Sequence, residues 1–279
     1  MRRRVRIDPL YVVAAVLVLV VVGLAIFVGT NAQSPVRSGS ALDSTSGGAA
    51  RLRALLDELG GRTVIVQGER FAPSETAVTV LFLLGATEFV SDVDAVAAKT
   101  FLQGGGTLII ATDQGLAESA VLRPYGVSLG EGAGAGHYDA SSVIAATASA
   151  GQISIDRGRI LTLSDRWSPV MRSQGRTLAA MTREGTGTLI VVGSLAPFVN
   201  QYLGVADNGR FALSLAAAGF EPGRSIGFDE YHHGAHPSAE LMAVLGSAAA
   251  ALEPRVHPRF RRTPAPLGER RDRARTSSA

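Results

Sequence analysis

Residues 77–113 read AVTVLFLLGATEFVSDVDAVAAKTFLQGGGTLIIATD, and the order of patterns inside them sets the fold. Residues 77–85 are continuously apolar and rich in branched side chains, the pattern of a strand buried on both faces of a parallel sheet. A Ser91/Asp92 cap then opens a helical stretch with an apolar face through Val93, Val96, Ala97 and Phe101, which Gly104, Gly105 and Gly106 stop. Residues 107–113 follow as a second apolar strand. Two such strands joined by about 14 helical residues run parallel, because the helix carries the chain back across one face of the sheet.

The glycine triplet invites comparison with a phosphate loop, but its order is wrong. A dinucleotide fingerprint places its glycines after a strand and before a helix, whereas these lie after a helix and before a strand. They are a helix stop, and no cofactor is implied.

Outward from this unit the pattern continues. On the N-terminal side, AARLRALLDELG carries Leu52, Leu55, Leu56 and Leu59 at helical spacing and stops at Gly60-Gly61, followed by the short strand RTVIVQ. On the C-terminal side EGAGAGHYDASS reads as a mobile loop, with His137 and Tyr138 at the surface. Shorter strands are expected at SVIAATA, RILTLS, TLAAMTREG and TGTLIVVGS, with a hairpin turn bracketed by Gly185 and Gly187. NGRFALSLAAAG predicts a helix and RSIGFDEY a last strand. The expected domain is α/β, a mostly parallel sheet with an antiparallel insertion, over 49–234.

The two ends differ from this domain. Arg2, Arg3, Arg4 and Arg6 precede a stretch without charge from Leu10 to Val28. About 20 apolar residues rising 1.5 Å each cross a bilayer core of roughly 30 Å. Arginines favour the cytoplasmic side, so the reading is a basic cytoplasmic end at 1–9 and a transmembrane helix at 10–29, with the domain outside the cytoplasm. The competing reading is a cleaved signal peptide ending near Thr30-Asn31-Ala32. Residues 30–48 are small, polar and Gly/Ser-rich, the composition of a flexible tether that buries nothing. Beyond the domain, 235–252 is a helix candidate of uncertain role, too short for an ordinary span, and the Pro/Arg-rich 253–279 reads as a disordered basic tail.

Composition narrows the function. A hydrophobic fraction of 46% in 279 residues supplies a real core. Lys99 is the single lysine, and the net charge of +3 is small, so the arginines argue for codon bias and not for nucleic-acid binding. There is no cysteine, which excludes disulfides, thiolate metal ligands and a cysteine nucleophile.

The candidate chemistry lies in GFDEYHHGAH, 227–236, which holds three of the five histidines. On an extended strand Phe228, Glu230 and His232 face one way and Asp229, Tyr231 and His233 the other, so no single face gathers three ligands. Three readings stay open. Asp229, His232 or His233 joins a carboxylate at another strand end, such as Asp113, in metal or acid/base work. Asp229 and Glu230 accept backbone N–H bonds while the histidines cap the next loop. The segment forms part of a partner-binding rim. Ser194 in VVGSLAPF follows an apolar strand, yet the Gly-x-Ser-x-Gly elbow of a serine hydrolase is absent.

The N-terminal run, GGAARLRALLDELG, FLQGGGTLIIATD, GSLAPFVNQYLGVADNGRFAL and above all FDEYHHG resemble domain of unknown function 4350 across residues 10–234. The resemblance implies a membrane-anchored bacterial protein with a flavodoxin-like sheet similar to class I glutamine amidotransferases, also seen in gliding-motility-type ABC accessory proteins. It implies no settled activity, and genes often placed beside those of MoxR-type AAA ATPases and von Willebrand-like proteins. It further implies a second span after the DEYHHG segment, where this chain offers only 239–252. Amidotransferase chemistry needs a cysteine, so glutaminase activity is excluded.

The expected function is therefore that of a membrane-anchored extracytoplasmic domain, non-catalytic, that binds a ligand or a membrane-complex partner. The expected rim is Asp113, Asn200, Asp207, Asn208, Asp229, Glu230, His232 and His233. The alternative is a metal-assisted hydrolase built on Asp229, His232 and His233.

Overall fold

The computed structural model describes residues 37–140 and 150–235. The apolar run at 10–28, the SVIAATA strand, His236 and the two C-terminal segments lie outside the described residues. Among the described residues no helix is long and apolar enough to cross a membrane.

Among the described residues nine strands form one sheet: β1 (Arg62–Val66), β2 (Val78–Leu84), β3 (Thr107–Ala111), β4 (Val127–Ala140), β5 (Gln152–Leu163), β6 (Ser168–Ser173), β7 (Arg176–Glu184), β8 (Gly187–Val192) and β9 (Ser225–Asp229). Their spatial order is β1-β9-β2-β3-β8-β7-β6-β4-β5. The first five positions are parallel throughout and the remaining pairs are antiparallel. The α/β class and the antiparallel insertion are as expected. The insertion is larger than expected, because EGAGAGHYDA belongs to β4 and pairs with β5 from Tyr138 opposite Ile153 back to Val127 opposite Leu163. That stretch is not a loop: Ala133 and Tyr138 are buried in it, while Gly132, Gly134 and Gly136 face open space and leave too little side chain to show a strand pattern.

Among the described residues four helices cover the sheet: α1 (Ala50–Glu58), α2 (Asp92–Gln103), α3 (Ser119–Leu122) and α4 (Asn208–Ala217). Side chains alternate along each parallel strand and so feed two cores. Val80, Phe82, Ile109, Ile190 and Phe228 pack with Leu52 and Leu56 of α1 and Phe211 and Leu215 of α4. Leu81, Leu83, Leu108, Ile110 and Val191 pack on the other face with Ala98, Phe101 and Leu102 of α2 and Val121 and Leu122 of α3.

Helix α2 begins with a full capping box between Ser91 and Asp94. Its buried face is Asp94, Ala98, Phe101 and Leu102, whereas Val93 and Val96 are exposed. The expected face was thus rotated. Phe101 and Leu102 carry most of the apolar area near the end of the helix, and burying both turns Val93 and Val96 outward.

The tether also needs correction from Arg37 onward. Residues 37–49 lie against the carboxyl ends of the strands, with Arg37, Ala41 and Ala49 buried. Composition predicted flexibility because the segment has few apolar side chains. It is held instead by hydrogen bonds to distant residues. Ala41 N–H and Ser40 Oγ donate to Glu230, and Asn200 Nδ2 donates to the carbonyls of Asp43 and Thr45.

Candidate functional site

The chain leaving β3 turns to the α3 face, where Val121 and Leu122 enter one core. The chain leaving β8 turns to the opposite face, where Ala196, Phe198 and Val199 enter the other. A crevice opens where neighbouring parallel strands send their connections to opposite sides, and this is where open α/β sheets place their ligands. A cleft of about 290 Å³ lies at this end of the sheet, beside the carboxyl ends of β2 and β3. Its walls are Gly85, Ala86 and Thr87 after β2, Thr112, Asp113 and Gln114 after β3, Leu116 to Glu118, and Arg37, Arg157 and Leu195.

Asp113 ties these walls together. Its Oδ1 accepts the Leu195 N–H at 2.8 Å, which bridges the split between β3 and β8. Its Oδ2 accepts Arg157 Nε at 2.9 Å and Arg37 Nη1 at 3.2 Å. Arg37 also donates to Asp156 and lies over the Tyr202 ring, 5.0 Å from its centroid. Asp156 keeps a carboxyl held below the usual range: burial pushes it up, but the hydrogen bond and charge of Arg37 outweigh that. Arg157 reaches the cleft because β5 crosses the end of β8 at two glycines. A Cβ on Gly193 would stand 2.0 Å from the Arg159 carbonyl oxygen, and one on Gly158 would stand 2.5 Å from the Gly193 oxygen. Only backbone without side chains can approach so closely.

Glu118 closes the inner wall. It is 1% exposed, and neither carboxyl oxygen makes a hydrogen bond of ordinary geometry among the described residues. Burial raises its pKa from 4.5 to about 7, against smaller opposing effects of its own N–H, the Thr112 side chain, the Ala86 backbone and the charge of His232. Sequence reading missed Glu118, Arg37, Asp94, Asp156 and Arg157. A single carboxylate in the apolar run AESAVL was the one available signal, and it does not distinguish a buried group from a surface one.

Behind this wall stands a second cluster. His232 Nδ1 lies 2.8 Å from Asp229 Oδ2, and His232 Nε2 lies 3.5 Å from Asp94 Oδ2 of α2. All three residues are buried. Burial disfavours the charged imidazolium, but the hydrogen bond and charge of Asp229, with those of Asp94, outweigh it and raise the pKa above the usual histidine value. The His232 carbonyl accepts the N–H groups of Thr87 and Glu88, both at 3.0 Å, so the cluster anchors the loop that forms one side of the cleft.

Strand alternation put Asp229 and His232 on opposite faces, and the structure overturns this. β9 ends at Asp229, and Tyr231–His233 form a 3-10 turn closed by Gly234 in the left-handed region. At three residues per turn, Asp229 and His232 come to one side, while Glu230 is drawn to the other face by Ser40 and Ala41. The signal for the turn was the glycine closing FDEYHHG.

The eight residues expected on one rim therefore divide. Asp113 lines the cleft. Asp229 and His232 pair behind it, and His233 is half-buried outside that pair, donating its N–H to the Glu230 carbonyl. Asn200, Asp207, Asn208 and Glu230 bind backbone. Asn200 also accepts the Arg51 N–H, Asp207 accepts those of Gly151 and Gln152, and Asn208 both accepts the Ser154 N–H and donates to the Ser154 and Tyr202 carbonyls. Among the described residues no group of three or more histidine, aspartate or glutamate side chains is arranged to hold a metal ion. Asp113 pairs with arginines and does not join a histidine. Ser194 is fully buried and donates its hydroxyl to the Arg157 carbonyl at 2.6 Å, a structural use of that side chain.

Fold and cleft together define a mixed α/β domain whose polar crevice sits at the carboxyl ends of its parallel strands. The chain belongs to the family described as domain of unknown function (DUF4350), whose profile matches residues 41–216. No curated protein sequence matches it. Among solved structures it is similar to a cytoplasmic protein from Salmonella typhimurium LT2, with 13% identity and a TM-score of 0.50 over 62% of this chain and 88% of that one. It is also similar to the mmIFT52 N-terminal domain, with 17% identity and a TM-score of 0.45 over 55% of this chain and 83% of that one. A β-galactosidase from Bacillus circulans sp. alkalophilus matches at 11% identity and a TM-score of 0.37, over 50% of this chain and 22% of that one. At these identities the likeness concerns the fold alone.

Proposed function

We propose that this protein is a membrane-anchored, extracytoplasmic binding domain that captures a ligand or partner group in the cleft beside Asp113. The single observation that carries this reading is the cleft itself, at the carboxyl ends of β2 and β3 and bordered on the β8 side by Leu195, with Asp113, Arg37, Arg157 and the Leu195 N–H bonded together in its wall. A crevice so placed is the ordinary ligand site of an open parallel sheet. The parallel half flanked by helices on both faces supports the flavodoxin-like, amidotransferase-like reading of the fold, and the arginines before the apolar run at 10–28 support the anchor and its orientation.

A non-catalytic accessory role in a membrane or envelope complex fits the residues at hand. There is no cysteine, Ser194 is spent on a backbone carbonyl, and Asp229 and His232 are buried against each other. The hydrolase alternative needs Asp229, His232 or His233 to meet substrate, and His233 stands outside the buried pair.

Two experiments test the reading. Arg157→Gln, in a side chain one-third exposed at the cleft, is expected to abolish complementation of a deletion strain with little change in melting temperature. Retained complementation would sink the cleft as the functional site. Alkaline phosphatase fused after residue 236 is expected to be active in cells, and green fluorescent protein fused there dark. The opposite pattern would place the domain inside.

A further inference from the structure

The cleft has one buried carboxyl, Glu118, that makes no ion pair among the described residues. Arg37 and Arg157 stand against Asp113 and Asp156, two guanidiniums against two carboxylates. Behind the wall His232 stands between Asp229 and Asp94, so both of these carboxylates already have a partner. Glu118 adds a further carboxyl to the wall, 1% exposed and with both oxygens lacking a hydrogen-bond donor of ordinary geometry among the described residues. Burying a carboxyl without a partner is costly, and a donor bound beside it recovers that cost. The mouth of the same cleft has the opposite character: Phe89 is 75% exposed and Leu116 71% exposed, and both line it.

We propose that the cleft takes a small organic cation with N–H donors, an amine or a guanidinium, whose charged end pairs with Glu118 and whose apolar end rests on Phe89 and Leu116. This rests on the binding-domain reading above and names the chemistry of its ligand. A metal cation is a poorer fit, since Glu118 brings no second histidine or carboxylate ligand with it among the described residues. An anion meets arginines that Asp113 and Asp156 already neutralise, and it meets Glu118 as a like charge.

The test uses the full-length chain in detergent micelles, with benzylamine as probe and benzyl alcohol and benzoate as its neutral and anionic counterparts. Titrations at pH 8 are followed by calorimetry, and the same micelles carrying Glu118→Gln control for partitioning. Benzylamine is expected to bind about tenfold or more tightly than benzyl alcohol, and Glu118→Gln to remove most of that preference, since the charged hydrogen bond is gone. Leu116→Ala, an exposed position without a packing role, is expected to weaken benzylamine about threefold. At pH 7 the wild type should release protons on binding benzylamine, and the Gln variant should not.

Equal binding of the three probes, tighter binding of benzoate, or a preference for benzylamine that survives Glu118→Gln would each overturn the proposal while leaving the cleft as a ligand site. Saturable calcium binding lost in the Gln variant, without an amine effect, would overturn it in favour of a metal. If no probe binds the wild type, the amine assignment falls. Complementation by Arg157→Gln then decides whether the wider binding reading falls with it.

Discussion

His232 and Asp229 are three residues apart in the chain and meet at 2.8 Å through Nδ1 and Oδ2, inside a wall of the domain. A sequence segment that resembles a metal or acid/base site is here a buried brace. Its imidazole ties β9 to Asp94 of α2, and its carbonyl holds the loop at Thr87 and Glu88.

His232 should make stability depend on pH in a definite direction. Its folded-state pKa is raised above 6.5, so its contribution is complete below about pH 6.5 and is lost as pH rises through the folded value. His232→Gln is expected to lower stability by about 3 kcal/mol at pH 6, as breaking a buried pair does. The gap to wild type should narrow as pH rises. Thermal melts of both proteins between pH 5.5 and 9, buffers chosen in half-unit steps, check this; a gap that widens with pH contradicts the pairing.

Glu118 acts in the same direction for a different reason. Its folded-state pKa is raised from 4.5 to about 7, so the native state holds the proton more tightly than the unfolded chain. Stability falls as pH rises from about 4.5 to about 7 and levels off above, with a cost of about 3 kcal/mol once the group is ionised. Glu118→Gln never ionises and is expected to be more stable than wild type at pH 8, with the advantage shrinking toward pH 5. Denaturant melts at the two values read the difference. A constant offset at both would mean that burial does not raise the Glu118 pKa.

Arg37 joins the N-terminal segment to the cleft. Arg37→Ala leaves Asp113 with Arg157 and the Leu195 N–H but takes from Asp156 the arginine that lowers its pKa. The expected loss is about 2–3 kcal/mol, below the full cost of stripping a buried pair because Asp113 keeps partners. Limited proteolysis should then cut within 38–48, a segment expected to resist cleavage in the wild type because Arg37 and Ala41 are buried and Ser40 and Ala41 donate to Glu230. Resistance unchanged in the variant would show that Arg37 does not hold the segment.

A fragment starting at residue 49, where composition places the domain boundary, should be markedly less stable than one starting at residue 36. The shorter fragment exposes the faces covered by Ala41, strips the Ser40 and Ala41 donors from buried Glu230, and leaves Asn200 without the carbonyls of Asp43 and Thr45. Each unsatisfied buried group costs about 1–3 kcal/mol. Equal denaturant midpoints for the two fragments would restore the tether reading.

Gly193→Ala tests the crossing that brings Arg157 into place. The added Cβ would fall 2.0 Å from the Arg159 carbonyl oxygen, so β5 must move away from β8. A stability loss of about 2 kcal/mol or more is expected, together with loss of the Arg159 N–H to Gly193 bond. The amide of Arg159 should then exchange with solvent much faster than in the wild type.

Much of the fold was legible because it depends on local patterns. The apolar runs at 78–84 and 107–111, the helix between them and its glycine stop are each set by neighbouring residues, and the structure has them within a few positions of the reading. Local pattern failed where side chains were too small to show it, as in the glycines of β4, and where the packing of Phe101 and Leu102 fixed the rotation of α2. The absence of cysteine is also a fact of sequence, and it excludes glutaminase chemistry whatever the fold.

Sequence by itself thus determined the alternation of strands and helices, the two buried faces of the parallel strands and the reactions that the side-chain inventory forbids. Tertiary structure alone decided that Arg37 meets Asp113 across 76 residues, that Arg157 arrives over two glycines, that Asp229 turns to His232 and that Glu118 is buried in a wall without an ion pair among the described residues. The physical reason is the range of the forces involved. Backbone preference and hydrophobic periodicity act within a few residues and are written in sequence order. The partners of a buried charge are chosen by strand order, close approach and burial, which exist only once the sheet has formed.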